Sequence, residues 1–187
     1  LLHPMDDFRS YEPAAELHPI GHDDLMVLMF TSGTTGLSKG VMMSERNLFS
    51  AGHVLWAISA QLEDKISQKE PLPGHYMVLP MFHLGAFIDL FSTTVMGWPL
   101  NLGNDIRNFY RDIQKMPSQV MSVVPMIMNA LHKDVMRGHR DRLGDLWVPI
   151  GSSAMFDPQV LLDMAHNGMF VIQCYGATET CGAGIIN

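Results

Sequence analysis

This chain predicts an α/β fold, a mostly parallel sheet with helices packed on its faces. Short apolar or β-branched runs alternate with helical patterns every twenty to thirty residues, the pattern of strands joined by crossover helices. Several runs end in unusual loops, and in open sheets of this kind the ligand crevice lies beyond the carboxyl ends of the strands. With 187 residues, 47% of them hydrophobic and 17% charged, the chain can bury a core and is too apolar for disorder.

The elements follow in order. Residues 1–24, with Pro4, Pro13 and Pro19, read as an irregular lead-in. Asp23 and Asp24 introduce a strand over Leu25-Met26-Val27-Leu28-Met29-Phe30, and the loop from Thr31 to Gly40 returns into Val41-Met42-Met43. Ser44 caps a helix whose apolar positions Leu48, Ala51, Leu55, Ile58 and Leu62 keep helical spacing. Residues 65–74, with two prolines and a glycine, form a surface connection. Tyr76-Met77-Val78-Leu79 is a strand ended by Pro80, and the nearly unbroken apolar run 84–96 is a buried helix feeding a strand over 98–102.

Ile106, Phe109, Tyr110 and Ile113 make an amphipathic helical stripe. A strand over 120–124 precedes Pro125, placed where the first turn of a helix tolerates proline. After a strand over 146–150, Asp157-Pro158 opens a helix that ends near Gly168. The last strand, 169–172, feeds Gln173-Cys174-Tyr175-Gly176-Ala177-Thr178-Glu179-Thr180 as a loop.

Composition excludes several functions. A net charge of -7 argues against a nucleic-acid binder, whose affinity rests on Lys and Arg neutralising phosphates. No apolar stretch reaches the length of a bilayer span, so stable membrane insertion is not expected. Cys174 and Cys181 alone suggest neither a disulfide framework nor a zinc site, which points to a reduced, cytoplasmic setting. The nine histidines are scattered without metal-ligand spacing, and the sixteen methionines read as core filler. The chain starts at Leu1 without a secretory leader and stops at Asn187 within another apolar element, so it reads as a segment cut from a longer protein.

The ten residues from Thr31 to Gly40 hold three glycines, five hydroxyls and one lysine. Glycines let backbone N–H groups turn toward an anion, hydroxyls add donors, and Lys39 supplies the charge that suits a polyphosphate. A Walker loop would end in Gly-Lys-Ser/Thr, whereas this one reads Ser38-Lys39-Gly40. The plainer reading is a simple connection, as such clusters commonly are.

This loop, Leu79-Pro80-Met81-Phe82-His83-Leu84-Gly85, the turn Gly151-Ser152-Ser153-Ala154 and Tyr175-Gly176-Ala177-Thr178-Glu179-Thr180 together resemble, in order and separation, the adenylate-forming (AMP-binding) superfamily of acyl-CoA synthetases, luciferases and peptide-synthetase adenylation domains. The resemblance spans nearly the whole chain from Asp24 and implies that residues 25–187 are the central part of the large N-terminal AMP-binding domain. The rest of that domain and the mobile C-terminal domain would lie beyond Asn187.

The resemblance implies the site. Thr31, Ser32, Gly33, Thr34, Thr35, Gly36 and Lys39 would hold the ATP phosphates. Tyr175 and Gly176 would lie at the adenine, with the Tyr175 ring stacked on it. Thr178 and Glu179 would stand beside the phosphates, with Glu179 on Mg²⁺. His83 would position the acid carboxylate, and Gly151, Ser152, Ser153 and Ala154 would flank adenine and acyl group. Serines stand here where the family turn usually carries glycine. Outside the motif, Tyr175 would read as a core aromatic at a strand end, Glu179 as a solvated charge and His83 as a packing residue. The implied activity is ATP-dependent conversion of a carboxylic, by preference fatty, acid to an acyl-adenylate and then to a thioester with CoA, His83, Lys39, Thr178 and Glu179 being the catalytic set. An amino-acid adenylation domain and a non-catalytic nucleotide-binding module are the alternatives.

Overall fold

The computed structural model describes Glu12, Glu16 and residues 18–32, 38–61 and 74–186. Most of the lead-in, loop positions 33–37, Leu62 and the connection up to residue 73 lie outside these. Two sheets form. β1 (Leu25–Ser32) and β2 (Ser38–Ser44) make an antiparallel pair of their own. The larger sheet contains β3 (His75–Met77), β4 (Leu100–Leu102), β5 (Val120–Val123), β6 (Val148–Gly151), β7 (Ile172–Ala177) and β8 (Gly182–Ile186), in the order β4-β3-β5-β6-β7-β8. Every pairing from β4 to β7 is parallel, and β8 closes the edge antiparallel to β7. The mostly parallel α/β prediction holds, with the antiparallel hairpin standing apart from it.

The helices are α1 (Glu45–Gln61), α2 (Leu84–Met96), α3 (Phe109–Lys115), α4 (Pro125–Met136) and α5 (Pro158–His166). Their starts follow the sequence. Before α1, Ser44 Oγ accepts from the Asn47 N–H at 3.4 Å while Asn47 Oδ1 accepts from the Ser44 N–H at 3.0 Å, a reciprocal cap with asparagine in the usual Glu/Gln role. Pro125 and Pro158 occupy first turns, and Asp157 accepts from the Gln159 N–H at 2.9 Å. Gly97 ends α2 at φ 67, where a side chain would be strained. Among the described residues, no helix is long and apolar enough to cross a membrane.

Alternation along β5 divides the core. Tyr76, Met121 and Val123 point to one face and pack with Phe109, Ile113, Met128 and Leu131 from α3 and α4. Val120, Val148, Ile150 and Ile172 point to the other. A third cluster, Met29, Met43, Leu48 and Leu84, joins the hairpin to α1 and α2.

Two expectations and one plainer reading are corrected. The last strand is expected at 169–172, but β7 runs from Ile172 to Ala177, so residues 173–177 of the presumed loop are strand, and 174–177 pair with β8. Helix α2 has the expected bounds but not uniform burial: Asp89, Ser92 and Thr93 are among its buried residues, whereas Val95 is 58% exposed. Tyr175 is no core aromatic, being 72% exposed.

Candidate active site

A cavity of about 650 Å³ lies beyond the carboxyl ends of the central strands, within the range of roughly 300–1,000 Å³ usual for small-molecule sites. Val78 and Leu79 after β3, Val124 after β5 and Ser152 after β6 border it. Register explains its floor. Ser122 pairs with Ile150 across β5 and β6, and these two with Cys174 of β7 line the cavity from one sheet face. The first turns of α2 form a wall through Leu84, Gly85, Ile88 and Asp89, and a Cβ on Gly85 would come 4.0 Å from Ser152 Oγ.

Five of the predicted residues line this cavity. His83 precedes α2, is exposed, makes no side-chain capping hydrogen bond and lines the cavity. Its ring lies 5.0 Å from that of Phe82, itself 78% exposed, so it is not the satisfied packing histidine of the plainer reading. Ser152, Ser153, Gly176 and Thr178 also line the cavity. Gly151 does not: it is buried, and a Cβ there would lie 1.8 Å from Phe156 Cε2, so its glycine serves ring packing. Ala154 is exposed outside the lining.

The phosphate-directed residues meet at the hairpin. Thr31 pairs with Lys39 across β1 and β2, which sets their side chains on one face. The Thr31 hydroxyl donates to Glu179 Oε1 at 3.4 Å, a long contact joining residues 148 positions apart. Ser32 pairs with Ser38 at the loop end of the hairpin. Gly33, Thr34, Thr35 and Gly36 lie outside the described residues. Residues 178–180 form a single 3-10 turn fixed by Thr180, whose Oγ1 accepts from the Ala177 N–H and donates to the Gly182 carbonyl, both at 2.9 Å. Thr180 thus holds the turn that presents Thr178 and Glu179.

Sequence reasoning missed other cavity groups. Asp105 lines it, but hydrogen bonds from Arg107, the Nε at 2.9 Å, lower its carboxyl to about 2. Burial, and then the Asp89 charge, push the Cys174 thiol up to about 11, so it stays protonated at neutral pH. Asp89 also lines the cavity, 6% exposed, with fully buried His75 behind it. The available signal was Asp89 itself, the one charged residue within the apolar run 84–96.

Ser153 adopts φ 75, the left-handed region that favours glycine. For a residue with a side chain this costs about 1–2 kcal/mol, partly offset by the larger unfolded-state entropy of glycine. Ser153→Gly is therefore expected to stabilise the chain by up to about 1 kcal/mol, read from denaturant midpoints. A lower midpoint would mean that the serine hydroxyl contributes more than its backbone costs.

Among the described residues, no group of three or more His, Cys, Asp or Glu could hold a metal ion. Magnesium carried on a polyphosphate needs only one or two protein carboxylates, and exposed Glu179 beside Thr31 fits that limited part.

Comparison with known proteins agrees with this fold. The chain is 29% identical over 172 residues to 2-succinylbenzoate–CoA ligase of Bacillus licheniformis, covering 90% of this chain and 33% of that protein. It is 29% identical over 185 residues to the long-chain-fatty-acid–CoA ligase FadD13 of Mycobacterium tuberculosis, covering 94% and 33%. The chain thus spans about a third of the length of these relatives. Its fold matches O-succinylbenzoate coenzyme A synthetase (MenE) of Bacillus subtilis, solved with ATP and magnesium ion, with a TM-score of 0.73 at 23% identity, over 97% of this chain and 37% of that one. The family model described as AMP-binding enzyme matches residues 4–187, and the chain belongs to that family.

Proposed function

We propose that the whole protein carrying this chain activates a carboxylic acid with ATP and passes the acyl group to CoA, in the cytoplasm. The observation that supports the reading is the Thr31–Glu179 contact, which joins the hairpin carrying Lys39 to the turn whose Thr178 lines the same cavity as His83. A carboxylate oxygen attacks the α-phosphorus, the bond to pyrophosphate breaks, and an acyl-adenylate forms. CoA sulfur then attacks the acyl carbon and AMP leaves.

Lys39 and the Thr31 hydroxyl neutralise charge on the departing pyrophosphate, as donors already oriented before reaction. Glu179 would hold magnesium, which would draw charge from the phosphate oxygens. His83 orients the attacking carboxylate at the cavity mouth, Tyr175 offers its exposed ring to adenine, and the serines after β6 flank adenine and acyl group. The cavity accepts the acyl body, aliphatic or aryl.

The test is acid-dependent exchange of labelled pyrophosphate into ATP by the whole protein. Exchange with at least one acid from a broad panel is expected, and none at all would count against the reading. Glu179→Gln is expected to raise the magnesium concentration for half-maximal exchange by about tenfold or more, since it removes a charged oxygen ligand. An unchanged magnesium requirement would remove Glu179 from the metal site.

A further inference from the structure

The cavity carries two carboxylates in opposite states. Asp105 is met by Arg107. Asp89 is not met: its side chain is 8% exposed, and its Oδ2 is buried without a hydrogen-bond partner. The nearest cationic candidate is His75 Nε2 at 3.5 Å, and both ring nitrogens of His75 are also buried without hydrogen bonds. Leaving a buried polar group unsatisfied is unfavourable, more so for a charge, and a ligand that supplies the missing donor recovers that loss. The lining shared with Asp89 includes the apolar Ile88, Ile150 and Ala86, the protonated thiol of Cys174 and the neutral hydroxyl of Ser122. One strong acceptor among apolar and neutral groups discriminates between ligands more sharply than those groups do.

Position along α2 sets the reach. Asp89 follows His83 by six residues, which at about 1.5 Å per residue places it about 9 Å further along the helix axis. Resting on the proposal that His83 receives the carboxylate of an acid substrate, we infer that Asp89, backed by His75, recognises a hydrogen-bond-donating group, hydroxyl or ammonium, at the distal end of that acid. A plain alkyl end would leave Asp89 unsatisfied, and a second carboxylate would be repelled by it.

The experiment measures kcat/KM for pyrophosphate exchange in the whole protein with octanoic acid, its ω-hydroxy and ω-amino derivatives, and suberic acid. The donor-bearing acids should exceed octanoic acid by at least about tenfold, with suberic acid last. Asp89→Leu should reverse the preference toward octanoic acid, and Asp89→Asn should keep the hydroxy acid while losing the amino acid. Should Asp89→Leu fail to fold, the native ratios and Asp89→Asn decide. Octanoic acid preferred by the native protein, or ratios unmoved by the variants while stability falls, would overturn the inference and leave acid activation standing. Exchange with no acid of any class would overturn both.

Discussion

Lys39→Ala is expected to lower acid-dependent pyrophosphate exchange by about 10²–10³-fold, the usual result of removing one preorganised donor from developing transition-state charge. Lys39 is exposed, on a strand whose partner residue is Thr31, so truncation leaves no cavity and should not change the denaturation midpoint. The loss should fall on kcat more than on KM for the acid, because the charge forms on pyrophosphate rather than on the acyl group. Lys39→Arg restores the charge but not its compact shape, and recovery should be partial. Full activity in Lys39→Ala would place the phosphates elsewhere.

Gly151→Ala is expected to have the largest effect on stability. The new Cβ would lie 1.8 Å from Phe156 Cε2 and 2.1 Å from Cζ, and Phe156 is 5% exposed within the main core. With the ring buried in the core, the cost should reach the upper part of the range of about 1–3 kcal/mol for overpacked cores. Chemical denaturation checks this, with Phe156→Leu as partner. The double variant should be less destabilised than the sum of the singles. Strict additivity would show that the ring and Gly151 do not meet.

Much of the fold was legible because its signals are local. Ser44, Pro125 and Asp157-Pro158 mark helix starts through capping chemistry that depends on neighbouring residues alone. Strand ends were less legible. Extension of β7 through Tyr175 and Ala177 depends on pairing with β8, a partner that propensity in the 173–180 segment does not announce. Candidate site residues could be named from the family resemblance, but not their states. Exposure of Tyr175, the left-handed backbone of Ser153 and the burial of Gly151 under Phe156 arise from tertiary packing. Least legible was the His75–Asp89 pair, because the burial of an acid on an apolar helix is defined by what surrounds it in space.

Helix α2 serves two neighbourhoods at once. Phe87, Ile88 and Phe91 pack toward the cluster of Met29, Met43 and Leu48 that seats the hairpin, while Asp89 turns to the cavity. A ligand in the cavity that shifts or steadies this rod would act on the seat of the hairpin as well. By thermodynamic reciprocity, whatever factor such a ligand imposes on the affinity of a second one bound at the hairpin, the second returns to the first.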